Sequence, residues 1–376
     1  MSTILRVTAA LALLAASLPA GAASATVTRA WQYKPESVAG LAVRNLIGDI
    51  RVERGNTPGV HISARATVEA DSQAEAERLA GLVDYRTRDT GAGSRFEVRF
   101  PREHFPKIYW TGGSAHWWTV SHAQYLGERV RLSGKRGDAV VVRVDLLVRA
   151  PAGAKLEVGN VFGDSTAQGF SGDLTLDGGS GVLRSTGGDG RLELDNGSGE
   201  VLVSGHRGRV AADTGSGSVK ITDCDCEILA DTGSGSVDVE GGKGSVSADT
   251  GSGRIEVQEF SGSLMADTGS GSVHARGLSN AERLDVDTGS GDVTIEGDLS
   301  ALARLDIDTG SGSVDLRSSA QPSMELQIRT GSGGVDVEAP GANVREQDDT
   351  WTVRMGEGAG SGVIDTGSGG VEIDFR

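Results

Sequence analysis

Asp213-Thr214-Gly215-Ser216-Gly217 recurs as Asp231-Thr232-Gly233-Ser234-Gly235 and again as Asp249-Thr250-Gly251-Ser252-Gly253, each copy 18 residues after the last. The same pentapeptide begins at Asp267, Asp287, Asp308 and Asp365, with looser copies at Asp177, Asp195 and Arg329. The steps are 18 residues from 177 through 267, then 20, 21 and 21; the 36-residue gap from 329 to 365 reads as two coils, with a degenerate one around Gln347. Stepping back from 177 finds a worn copy at residues 159–164. A period this short and regular predicts a solenoid, in which each repeat packs only on its neighbours.

Apolar residues fall in four columns within a coil. Val219 and Ile221, Val237 and Val239, Ile255 and Val257 follow the Gly-rich turn, and Ile228 and Ala230, Val246 and Ala248, Leu264 and Ala266 come nine residues later. Pairs two apart between glycine turns are short strands with one face inward. The fourth column is alanine in the 18-residue coils and becomes Val286, Ile307 and Ile328 where coils lengthen, because a wider interior needs larger side chains to fill it. The expected fold is all-β: a β-solenoid (β-helix) of about twelve 18–21-residue coils, two short strands per coil, with a β-rich N-terminal cap containing one short helix. The helix is expected to open at Ser72-Gln73-Ala74-Glu75, a capping-box pattern, and to run to about Tyr85. Cap strands are expected over residues 48–53, 60–69, 95–100 and 139–149. The domain reading is 1–25 signal peptide, 26–150 cap region with an aromatic insertion, and 151–376 solenoid.

The run Asn45-Leu46-Ile47-Gly48-Asp49-Ile50-Arg51-Val52, a strand ending in Ala150-Pro151, Leu156-Glu157-Val158 leading to Gly163-Asp164, and the repeated Thr-Gly-Ser-Gly-x-Val resemble the bacterial "putative adhesin" family of exported β-solenoids. The resemblance covers nearly all of the chain after residue 25. It implies architecture and a binding or cell-surface role, and it supplies no ligand residues.

Arg6, an apolar stretch over residues 7–18, Pro19 and small-residue sites at Ala20/Ala22 and Ala23/Ala25 read as a secretory leader. That stretch is too short for a stable membrane anchor, and no later segment would span a bilayer. The expected location is therefore periplasmic or extracellular. The formal net charge of −16 repels nucleic acid and anionic lipid. The two cysteines, Cys224 and Cys226, give no disulfide framework but can pair with each other.

Asp-Thr-Gly-Ser is also the motif of aspartic proteases, which bring two such aspartates together to share a proton. Copies at coil spacing form a ladder instead, and the expected role is structural: aspartate bonding the N–H groups that follow, with the glycines at positive φ. Calcium binding is the rival reading, since stacked carboxylates repel and a cation relieves them. Calcium-binding β-rolls place an aspartate within their turn, yet Gly241-Gly242-Lys243-Gly244-Ser245 is followed by Val246. A file of threonines is too narrow for an ice-binding array. The outward positions show no sugar-stacking aromatic ladder and no clustered carboxylate and base of the polysaccharide-lyase kind.

One segment departs from this plainness. Phe100, Phe105, Tyr109, Trp110, Trp117, Trp118 and Tyr125 lie within 26 residues of a chain with 4% aromatics, beside His104, His116 and His122. Aromatics are more often core than contact, which makes this segment cap core. In the sharper reading Tyr109, Trp110, His116, Trp117 and Trp118 form a partner-binding surface. The functional expectation is a non-catalytic exported binding or scaffold protein at the cell envelope, without a cofactor, its partner a protein or glycan. The alternative is a periplasmic enzyme or calcium-dependent protein with its site at the cap.

Overall fold

The computed structural model describes residues 5–7, 23–34, 40–90, 93–109, 120–134, 139–348 and 350–376. Of the expected leader, Leu5–Val7 pairs antiparallel with residues 30–32, and the remainder up to residue 22 lies outside the described residues. The chain divides into two compact units, Met1–Gly199 and Glu200–Arg376.

In the first unit Val60–Ala70 is paired antiparallel on one side by Ala23–Tyr33 and on the other by Val141–Ala150. Val60, Ile62, Ala64, Ala66 and Val68 are all buried, so every second residue faces the core as strand geometry dictates. The helix Gln73–Leu82 covers this sheet with Ala76, Leu79 and Ala80. Its first turn is closed by Ser72 Oγ, which accepts from the Glu75 N–H at 3.2 Å. Coil stacking begins here. Leu41–Ile47, Ala154–Phe162, Ser171–Ser180 and Asp189–Asn196 pair in parallel, as do Ile50–Arg54, Ser165–Gln168 and Leu183–Thr186. Residues 41–54 are thus themselves a coil, one step ahead of the copy at 159–164.

The second unit repeats that plan. Val237, Val239, Val246 and Ala248 are each at most 2% exposed, which settles the inward columns. Parallel register stacks Ala212, Ala230, Ala248, Ala266, Val286 and Ile307 on one another. The longer coils also bury Leu278, Ala281, Leu299 and Leu302, so added chain and added core volume arrive together.

The C-terminal end departs from serial stacking. Gly360–Thr366 pairs in parallel with Arg304–Thr309 on one side and with Met324–Thr330 on the other. Val371–Phe375 likewise lies between Val314–Ser318 and Val335–Glu338. The last coil of the sequence therefore sits between two coils that precede it. The degenerate coil expected around Gln347 is instead a hairpin, Asn343–Gln347 with Thr350–Arg354, whose second strand pairs antiparallel with Met324–Thr330. Its composition explains the difference. Every residue of Asn343–Gln347 is exposed, so the strand has no apolar column with which to line a core.

Candidate functional site

The turns of the second unit use their polar side chains internally. Thr250 is fully buried; its Oγ1 accepts from the Gly253 N–H at 3.0 Å and donates to the Gly235 carbonyl of the preceding coil at 2.8 Å. Thr232, Thr268, Thr288 and Thr309 repeat both bonds in their own coils. Strand alternation between inward Ala248 and inward Thr250 turns Asp249 outward, and the same holds for Asp231, Asp267, Asp287 and Asp308. The expected turn chemistry is corrected on two counts: threonine, not aspartate, bonds the turn, and Gly251 and Gly253 are absent from the positive-φ glycines. Glycine is needed at 253 because the neighbouring coil is too close, a β-carbon there falling 1.8 Å from the Gly235 oxygen.

The aspartates are left as an outward ladder with Asp213, Asp231, Asp249, Asp267, Asp287, Asp308 and Asp365 in direct register. Partial burial, then the neighbouring aspartates, raise the carboxyls of Asp231, Asp249 and Asp287 above the ordinary aspartate value. Among the described residues no group of three or more His, Cys, Asp or Glu side chains is placed to hold a metal ion. Cys224 and Cys226 are joined as a disulfide, buried in the second turn of their coil.

The aromatic segment of the first unit builds the more distinctive feature. Val120–Tyr125 and Glu128–Ser133 form a hairpin across a two-residue turn in which Leu126 and Gly127 both have positive φ, and Ile108–Tyr109 adds in parallel. Phe105, Ile108 and Tyr125 are buried, with Phe100 set edge-on to Phe105 at 5.8 Å. The Tyr125 hydroxyl lies 2.6 Å from the Val98 carbonyl and 3.0 Å from that of Arg44, and burial pushes its phenol well above the usual range. Beside this wall opens a cavity of about 530 Å³. Its apolar side includes Leu46, Phe100, Phe105 and Ile108; its polar side carries, among the described residues, Arg86, Arg99, Arg102, Arg129 and Arg131 against Asp84 and Glu128.

Three of these arginines are fixed by carboxylates. Arg86 meets Asp84 at 2.8 Å, Arg102 meets Glu128 at 3.0 Å, and Arg99 meets the buried Glu97 at 2.9 Å. Arg129 and Arg131 are exposed and have no carboxylate partner among the described residues. The arrangement offers an apolar wall beside forked cationic donors, a combination suited to an anionic group.

Of the residues singled out from sequence, Tyr109 is half-buried, its N–H donating to the Val140 carbonyl at 2.9 Å. Trp110, His116, Trp117 and Trp118 lie outside the described residues. His104 and His122 are on different strands or turns, and His122 pairs in register with Arg131 rather than with another histidine. The arginines were not singled out by pattern, because they are scattered from 86 to 131 and converge only through the hairpin. The available signal was a local basic excess in an acidic chain.

Residues 182–374 match the family model described as Toastrack DUF4097. A solved structure described as a "putative cell adhesion protein" from Clostridium sporogenes is 11% identical, with 93% of this chain and 100% of that one covered at a TM-score of 0.22. Another, described as a "putative lipid binding protein" from Parabacteroides distasonis, is 10% identical over 92% of this chain and 96% of that one, at a TM-score of 0.32. No curated protein matches the sequence.

Proposed function

The chain belongs to the Toastrack DUF4097 family, and from that premise we propose that it is a non-catalytic, exported binding protein of the cell envelope. Its binding site on this reading is the arginine-lined cavity of the first unit, and its partner an envelope protein or glycan that presents an anionic group. The carrying observation is the charge of that cavity: among its described residues, five arginines against two carboxylates, in a chain whose formal net charge is −16. Such a local reversal of sign focuses the field and selects for acidic partners. A non-catalytic role is supported by the turns, whose threonines are consumed by backbone bonds and whose aspartates form a ladder rather than a dyad. Export is supported by the leader pattern of residues 6–25.

The test is capture from envelope extracts by the parent chain and by an Arg129→Gln/Arg131→Gln variant. Neither residue holds a described carboxylate, so the variant should melt with the parent and lose the captured partner. Capture by the parent should also weaken with added salt. A variant of unchanged stability that captures the same partners at every salt concentration refutes the cavity as the site.

A further inference from the structure

The coil order at the C-terminus has a consequence for association. Ile364 stacks between Ile307 and Ile328, and Ile373 between Leu316 and Val337. The coil formed by residues 360–375 therefore separates residues 304–318 from residues 324–338, which follow each other in sequence, whereas the coils from residue 201 to residue 297 each meet their sequence neighbours. Its own sequence is fitted to that slot. Gly362 occupies a buried column position where the flanking coils carry Leu305 and Leu326, and a β-carbon there would meet Leu326 Cδ1 at 2.8 Å, Met324 Cε at 3.0 Å and Leu305 Cβ at 3.1 Å. Side chains from both sides close over the glycine, so the slot and the inserted coil are complementary. Charge matches as well, since Arg329 interrupts the aspartate ladder and pairs with Asp365 at 3.5 Å.

The inserted coil is also detachable in principle. Residues 355–359 link it to the hairpin through Gly356 and Gly358, both at positive φ. The linker is held by a few bonds, among them the Glu357 N–H to Ser323 Oγ at 3.0 Å. Exchange of an identical element across a short hinge reproduces every contact in a second molecule without a new interface.

We propose that residues 360–376 are an exchangeable coil, and that the slot between residues 304–318 and 324–338 accepts this coil from a second copy of the chain. The partner is identified by the slot itself: parallel strands with Ile364 and Ile373 in register, and a glycine under Leu305 and Leu326.

The experiment shortens the hinge of the full chain by deleting residues 356–358, so that the coil reaches its own slot less easily than a partner's. Asp308→Cys and Asp365→Cys, adjacent in register and facing outward, are added in a Cys224→Ser/Cys226→Ser background. Exchange predicts a dimer by light scattering and a covalent dimer on a non-reducing gel. A chain that stays monomeric, or whose cysteines link only within one chain, overturns the proposal. If the shortened chain does not fold, the same cysteine pair with the intact hinge is refolded at high and low concentration. A covalent dimer that increases with concentration supports exchange, and an intramolecular link at every concentration refutes it.

Discussion

Thr250 and Asp249 are neighbours in sequence with opposite surroundings, which makes them a controlled comparison. Thr250→Val keeps the shape of the side chain while removing one acceptor and one donor. The Gly253 N–H and the Gly235 carbonyl, bonded at 3.0 and 2.8 Å, lose their partner in a fully buried turn. At about 1–3 kcal/mol for each buried group left unpaired, and with the carbonyl retaining a second lone pair, the expected cost is about 2–4 kcal/mol. Asp249→Asn removes a charge from the outward ladder instead. Each neighbouring carboxylate at the ~4.8 Å strand spacing contributes about 0.9 kcal/mol of repulsion at the dielectric of water, less in salt, so this variant should be neutral or slightly more stable. Urea unfolding followed by circular dichroism measures the difference, with hydrogen exchange of the Gly253 amide as the local readout, because a stack of repeats opens locally. The account of the turn fails if Thr250→Val is as stable as the parent, or if Asp249→Asn costs as much as Thr250→Val.

The ladder also sets a pH response. Raised carboxyls on Asp231, Asp249 and Asp287 mean that the folded state holds those protons more tightly than the unfolded one. Their contribution to stability is fully present below the ordinary aspartate value and is lost as pH rises through the folded value. As pH falls from neutrality toward the ordinary aspartate range, the parent should therefore gain melting temperature relative to Asp249→Asn; a difference between the two that does not change with pH contradicts the ladder. Val239→Asp places an unpaired charge in a column 1% exposed and should cost about 3–5 kcal/mol, read by the same urea titration. Secreted material should begin between Ala23 and Thr26 by mass spectrometry, and an intact Met1 on exported protein is the contrary result.

The solenoid was legible because its code is redundant: every coil repeats the same columns, so any three coils suffice to read it. That redundancy also hid the order of the last coils. Ile364 and Thr366 fit the columns of residues 304–318 and 324–338 equally well, and a code that any neighbour can read does not say which neighbour it meets. Only Gly362 and Arg329 carry the distinction, and each looks like a lapse in the repeat until the sandwich is seen. The turn was misread for a related reason. Asp and Thr can both bond a backbone N–H, and the choice between them follows from which one alternation sends inward. In the cap, the pattern at Ser72 was sufficient for the helix. The cavity was not visible, because Arg86 and Arg131 are brought together only by tertiary pairing across 45 positions.

The close approach at the glycine turns bears on how this molecule tolerates change in length. A β-carbon at Gly235, Gly253, Gly271 or Gly291 would lie within 1.8 Å of the carbonyl oxygen one coil earlier. A side chain there would displace the coil behind it, so the lesion surfaces upstream of the altered codon. Insertion of a few residues into one of these glycine turns meets the same barrier from both directions. Adding or removing one whole coil does not, since each new turn finds another like it at the required height. Along these turns the array is thus a ruler graduated in single coils, and the two or three extra residues of the longer coils enter at the opposite turn, between Arg276 and Leu284 and between Gly297 and Leu305.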